Sequence, residues 1–172
     1  TDDKHKARMA FEQAAAMECD AALKEQAAYN HALCIHETSY SAFGESVLVF
    51  ERFLNEFPTS AYIDKVSSYL VEVYLNTRSY EAALQSISRI SHPTHTVLVA
   101  KQKILFQLGT QAFTNAQFEQ AASYFSQSLA MGNTHQPTQA EASYWMGETQ
   151  YRQGQYDAAQ THFLKYLSLA PS

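Results

Sequence analysis

The sequence predicts an all-α fold in which antiparallel helix pairs stack into one array. Three observations lead there. First, five Gly and four Pro among 172 residues leave too little turn punctuation for an all-β sandwich or barrel. Second, apolar and small residues recur at helical spacing: Ala121, Phe125, Ser128 and Leu129 fall on one side of a 3.6-residue spiral. Third, the chain repeats itself. Gln117-Phe118-Glu119-Gln120-Ala121-Ala122-Ser123-Tyr124-Phe125 and Gln155-Tyr156-Asp157-Ala158-Ala159-Gln160-Thr161-His162-Phe163 share an aromatic, an acid, an Ala and a second aromatic, 38 positions apart. Leu108-Gly109 and Met146-Gly147 are offset by the same 38. Tyr80 lies 38 before Phe118, and Phe43 lies 37 before Tyr80.

Taken in chain order, the pattern predicts nine helices, at about 3–18, 21–38, 41–57, 60–76, 79–91, 95–115, 117–131, 139–153 and 155–169, with no sheet. Polar links separate the two arms of each pair: Asn76-Thr77-Arg78-Ser79, Thr114-Asn115-Ala116-Gln117 and Arg152-Gln153-Gly154-Gln155. Between pairs stand Pro58-Thr59-Ser60, Ser91-His92-Pro93-Thr94 and the run Gly132 to Pro137. Proline is tolerated at a helix start and breaks an interior, so these runs mark boundaries. Thr138 followed by Glu141 has the form of a capping box for the eighth helix.

These residues resemble the tetratricopeptide repeat. The last unit carries the pattern through Trp145, Met146, Gly147, Tyr151, Gly154, Tyr156, Ala159, Phe163, Leu167, Leu169 and Pro171. The third carries it through Leu108, Gly109, Phe113, Phe118, Ala121, Phe125 and Leu129. The second is looser, with Leu70, Val71, Tyr74, Tyr80, Ala83 and Ile87, and the first is loosest, with Leu33, Cys34, Phe43, Ser46, Phe50, Leu54 and Pro58. Ala7-x3-Phe11-x2-Ala14 is similar to the second helix of a leading half repeat. The resemblance implies a right-handed superhelical solenoid of about four and a half repeats. Its parts are a half repeat at 1–19 and repeats at 20–58, 59–93, 94–137 and 138–172. The units depart from the family's roughly 34 residues by three or four. Phe50-Glu51-Arg52-Phe53-Leu54-Asn55-Glu56-Phe57-Pro58 also looks like repeats common in bacterial envelope proteins, so a periplasmic or envelope location is expected.

A helical hairpin cannot bury its apolar face alone and gains stability from stacked neighbours. Gly109 and Gly147 fit close helix approaches, Ala121 and Ala159 the matching slots, and Phe125 and Phe163 the space between adjacent units. Cys34 occupies the Gly slot of its unit and reads as a small buried hydrophobe. Cys19 and Cys34, about 20 Å apart along helical backbone, lie beyond the roughly 7 Å that a disulfide spans.

Twelve Lys and Arg against 17 Asp and Glu give a formal charge of −5, which argues against a phosphate-gripping chain and for no nucleic-acid partner. No run approaches the ~18 apolar residues of a transmembrane helix. His92-x-x-His95 lies in a Pro-containing link with no third ligand, and neither a phosphate loop nor a nucleophile elbow occurs, so no metal, cofactor or catalytic residue is expected. The opening Thr1-Asp2-Asp3-Lys4 reads as the start of a segment from a longer repeat protein with flanking repeats.

In the resembled family, first-helix side chains line a concave groove. That implies His31, Ile35, Lys65, Ser68, Glu72 and Leu75 early in the chain. Later come Lys103, Phe106, Thr110, Phe113, Tyr144, Glu148, Tyr151 and Arg152. The expected ligand site is Phe106, Thr110, Phe113, Tyr144, Glu148, Tyr151 and Arg152, an aromatic wall with mixed charge for a protein or peptide segment. His31 and Ile35 stand where some members carry a carboxylate clamp, so that clamp is not expected. Glycan or small-ligand recognition is the alternative.

Overall fold

The computed structural model describes residues 2–16, 21–38 and 44–169. Among them are nine α-helices, one short 3-10 turn and no strand. The helices are α1 (Asp2–Ala16), α2 (Ala21–Thr38), α3 (Glu45–Glu56), α4 (Ile63–Thr77), α5 (Tyr80–Ser88), α6 (His95–Thr114), α7 (Phe118–Ala130), α8 (Gln136–Arg152) and α9 (Tyr156–Leu169), with the 3-10 turn at Gly132–Thr134. Cys19, Phe43 and Pro171, which the sequence reading used, lie outside the described residues. The chain divides into two compact units, Thr1–Val97 and Leu98–Ser172, and the division falls three residues into α6.

In the first unit the buried stripe of each helix meets the next one along the chain. Ala32 and Ile35 of α2, Phe50 and Leu54 of α3, Val66 and Leu70 of α4, and Ala83 and Ile87 of α5 are all buried. Aromatic rings join the layers: Tyr29 stacks on Tyr62 at 4.1 Å, and Phe50 lies parallel to Tyr69 at 6.0 Å. Polar ties cross the same helices. The buried Glu51 carboxylate accepts two hydrogen bonds from Arg89, each 2.8 Å, and the Tyr74 hydroxyl is hydrogen-bonded to Ser86 in the core.

In the second unit Phe106, Ala112, Ala121, Phe125 and Ala142 form the buried centre, with Phe113, Leu129, Trp145 and Met146 packed around it. The glycines work through what they lack. A Cβ on Gly109 would stand 2.5 Å from the Phe125 ring, and one on Gly147 would stand 2.8 Å from Phe163. Both rings therefore lie on backbone that only Gly leaves open.

The links repeat as well as the helices. Arg78, Ala116 and Gly154, successively 38 positions apart, all adopt positive φ at +54°, +57° and +76°. In the second unit the turn closes with Gln117 N donating to Ala112 O, and Gln155 N to Gln150 O, each at 2.9 Å. These bonds satisfy carbonyls that the helix end leaves without a partner.

Three helix ends among the described residues differ from the expected positions by three residues. α4 begins at Ile63 rather than 60, because Ser60 forms a turn first: Ile63 N donates to Ser60 O, and Tyr62 N to Ser60 Oγ. α5 stops at Ser88 rather than 91, where Arg89 N and Ile90 N tighten onto Ser86 O and Ile87 O and Asn55 Oδ1 takes Ser91 N. α8 begins at Gln136 rather than 139, and Thr138 is not its cap. The cap is His135, whose Nδ1 accepts from Thr138 N at 3.3 Å. Pro137 suits the first turn, since its missing N–H would have no helical acceptor there. Thr138 is carried into the helix and buried, and Glu141 is exposed.

Candidate functional site

The expected site residues all lie in the second unit, in two sets related by the 38-residue step: Phe106 with Tyr144, Thr110 with Glu148, and Phe113 with Tyr151. Both sets follow the i, i+4, i+7 spacing of one helix side, on α6 and α8. Burial divides them.

Phe106 does not belong to an exposed wall. It is 9% exposed and packs on Phe125 at 6.0 Å between ring centroids. The physical reason is the Gly109 slot: with no Cβ one turn on, Phe125 sinks against α6 and the Phe106 ring closes over it. Truncating Phe106 opens a core cavity, so its loss cannot be read as loss of a ligand contact. Phe113 is half-buried, edge-on to Trp145 at 5.1 Å and to Phe118 at 5.5 Å, and so joins α6 to α8. Tyr144 is partly exposed over Trp145, Phe163 and Tyr166. Tyr151 is exposed and lies edge-on to Tyr156 of α9 at 5.4 Å.

The polar members form a surface. Thr110 Oγ1 donates to Gln107 O at 2.8 Å, and Thr114 Oγ1 to Thr110 O at 2.8 Å, so both hydroxyls keep lone pairs free to accept. Thr110, Gln111, Thr114 and Asn115 line a shallow depression of about 220 Å³. Arg152 Nε pairs with Glu148 Oε1 at 3.1 Å, one turn apart on α8. The same arginine lines an open trough of about 790 Å³ beside the two links, with Gln117, Phe118, Gln120, Gln153 and Gln155. The sequence shows both links to be polar but does not show that they and Arg152 line one trough.

Sequence reasoning also missed a buried glutamine near the start of α8. Gln102 is wholly buried; its Nε2 donates to Ser128 O at 3.1 Å and Gly132 O at 3.0 Å, and its Oε1 accepts from His135 N at 2.7 Å. One side chain thus ties α6 to the end of α7, the 3-10 turn and the start of α8. A lone Gln at a core position of a helical stripe was the available signal.

Of the earlier positions, Ile35 is core, while Lys65, Ser68, Glu72 and Leu75 of α4 are exposed. His31 lines a cavity of about 290 Å³ with Glu12, Lys24, Arg52 and Glu56, and burial holds its pKa below the ordinary imidazole value against the pull of Glu12. Among the described residues no three His, Cys, Asp or Glu side chains group to hold a metal, and His92 and His95 are both exposed. No described helix is long and apolar enough to cross a membrane.

The Gly109–Phe125 and Gly147–Phe163 contacts, the buried Ala121 and Ala159, and the left-handed links at 116 and 154 make the second unit two copies of one helix-pair motif. Residues 106–172 match the tetratricopeptide repeat family. The tetratricopeptide segment thus begins inside α6 and takes in α7 to α9. No curated protein matches the chain. Among solved structures, MamA 41-end from Desulfovibrio magneticus RS-1 is similar at 18% identity, over 84% of this chain and 75% of that one, with a TM-score of 0.39. The MamA RS-1 ArsTM double mutant is similar at 17% identity over 96% and 84%, with a TM-score of 0.41. MamA MSR-1 C2 is similar at 19% over 98% and 92%, with a TM-score of 0.40. Tetratricopeptide repeats support a protein-interaction scaffold in general.

Proposed function

We propose that this chain is a non-catalytic scaffold whose tetratricopeptide segment receives an extended peptide or protein segment along Thr110, Tyr144, Glu148 and Arg152. The observation that carries this reading is the state of Arg152. Its side chain is half exposed, pairs with the partly buried Glu148 one turn away, and lines the trough beside the links. An i,i+4 surface pair contributes only about 0.3–0.5 kcal/mol, so a ligand carboxylate or carbonyl displaces it at little cost. Thr110, Thr114 and Asn115 supply hydroxyl and amide groups for peptide backbone, and the exposed part of Tyr144 supplies apolar area with few rotatable bonds. The ligand then contacts the last two repeats more than the first two, and the envelope location expected from Phe50–Pro58 is part of the same proposal.

The test is selection of peptides from a random library on the immobilised chain, followed by titration of the selected peptides against variants. Arg152→Glu and Thr110→Arg should each weaken binding about tenfold or more with helical content unchanged, while Ser68→Ala should have no effect. Selected peptides indifferent to Arg152→Glu and Thr110→Arg would reject the surface. Capture of immobilised glycans, sensitive to the same two substitutions, would favour the alternative instead.

A further inference from the structure

Charged side chains on the first three helices fall into two kinds. At one end they close into pairs: Lys4 with Glu37 at 2.7 Å and Arg8 with Glu45 at 3.3 Å. Toward the other end, Glu12 of α1, Lys24 of α2, and Arg52 and Glu56 of α3 line one cavity of about 290 Å³ within the first unit. None of these four side chains makes a hydrogen bond or ion pair among the described residues. Two cations and two anions thus share a space without neutralising one another. Ala15, Ala28 and the buried Phe53 add apolar lining, and the two alanines leave room that longer side chains would fill. His31 supplies the remaining polar group. Its Nε2 is buried and has no hydrogen-bond partner, a state in which few native polar atoms are left.

We propose that this cavity is a binding site for a small zwitterion, an α-amino acid or dipeptide with an apolar side chain. The charges decide the class. A simple anion meets Glu12 and Glu56, a simple cation meets Lys24 and Arg52, and an uncharged ligand leaves all four unmatched. A zwitterion answers both signs. Glu12 and Arg52 act electrostatically on His31 with opposite sign, so an anionic and a cationic partner stand beside the same imidazole. There the ligand ammonium pairs with Glu12, its carboxylate takes the Arg52 guanidinium, and His31 Nε2 hydrogen-bonds to one of the two. Burial keeps the ring neutral at pH 7, so it adds a hydrogen bond rather than a third cation. Lys24 and Glu56, which are not among the charges acting on His31, are left for the second residue of a dipeptide. The volume lies just below the roughly 300–1,000 Å³ of drug-sized sites, which suits so small a ligand. This cavity shares no residue with the Arg152 surface and belongs to the other unit.

The test is calorimetric titration of the full chain with L-leucine and with L-leucyl-L-leucine. Saturable binding of at least one is expected. Blocked forms of each binder separate the charges: N-acetylation removes the ammonium and C-terminal amidation removes the carboxylate. Either should weaken binding about tenfold or more, the loss of one hydrogen-bonded charge pair. Arg52→Gln and Glu12→Gln should each do the same with far-UV circular dichroism unchanged. Ala28→Leu fills the cavity and should abolish binding. Lys4→Gln, at a paired cation outside the cavity, should leave binding intact. No saturable binding of either zwitterion would overturn the proposal. So would a blocked form that binds as well as its parent, or binding that survives both Arg52→Gln and Glu12→Gln. Arg152→Glu should not alter binding here, so failure of either site is read separately.

Discussion

Arg78, Ala116 and Gly154 hold the same left-handed conformation at equivalent links, yet only one is glycine. An L-residue in that region costs about 1–2 kcal/mol, and Gly there loses about 0.5–1 kcal/mol of chain entropy. Ala116→Gly should therefore stabilise the chain by up to about 1 kcal/mol, and Gly154→Ala should destabilise it by a similar amount, both read as urea midpoints. Gly109 obeys a different constraint. The ring a new Cβ would strike belongs to the fully buried Phe125, which has no room to retreat, whereas nothing lies near a Cβ on Gly154. Gly109→Leu should cost about 3 kcal/mol or more, against about 1–2 for Gly154→Leu. His135 sets a pH dependence. Burial, aided by Lys103 and opposed by Glu141, holds its pKa below the ordinary value of 6.5, and its cap bond needs an unprotonated Nδ1. Above that pH the ring is neutral folded or unfolded and the cap contributes fully. As pH falls through 6.5 toward the folded-state value, the unfolded chain takes up the proton first and stability drops. His135→Asn keeps a capping oxygen without the titration, so thermal midpoints measured from pH 7.5 to 5 should fall less steeply than in the parent chain, while His31, also held below its ordinary value by burial, keeps its own contribution to the slope.

At the scale of elements, polar side chains decide how helices register once apolar stripes have brought them together. Gln102→Leu keeps the volume but leaves Gly132 O and His135 N without their partner, at about 1–3 kcal/mol for each group that water does not reach, while Ser128 O keeps the hydrogen bond from Met131 N at 3.3 Å. A total loss of about 3 kcal/mol in chemical denaturation is expected, with the 3-10 turn and the start of α8 losing amide-exchange protection first. Arg89→Ala should cost about 1–2 kcal/mol, because it strips both hydrogen bonds from the buried Glu51 carboxylate while solvent reaches only the arginine side. These ties also mark where sequence reading stops. The helices of the described residues, the links and the role of Gly109 at a close approach were legible because 3.6-residue and 38-residue periods encode them directly, whereas the Phe125 ring that fills the Gly109 slot was not. The Thr138 cap failed because Thr and His are both credible acceptors three residues apart, and Pro137 between them fits either frame. Phe106 failed as a wall residue because a family position tells which helix side a ring starts from, and the partner's missing Cβ decides where that ring goes.

For the whole molecule, repeat architecture makes stability a sum of local terms and nearest-neighbour interfaces rather than one shared core. Trp145 is the chain's single tryptophan, packed on Phe113 within the second unit, so its fluorescence reports that unit, while far-UV circular dichroism reports helix throughout. Phe125→Ala removes a fully buried ring beside Gly109 and should lower the fluorescence midpoint by the equivalent of about 3–5 kcal/mol. Leu70→Ala empties an equally buried site in α4 of the first unit and costs about 2–5 kcal/mol locally. Trp145 belongs to the other unit, so its fluorescence should register that loss less than the circular dichroism does. Leu70→Ala should therefore pull the circular dichroism transition to lower urea ahead of the fluorescence transition, whereas Phe125→Ala should move fluorescence first. Coincident transitions in both variants, shifted by equal amounts, would mean that all nine helices unfold as one cooperative body and that local repeat energetics do not describe this chain.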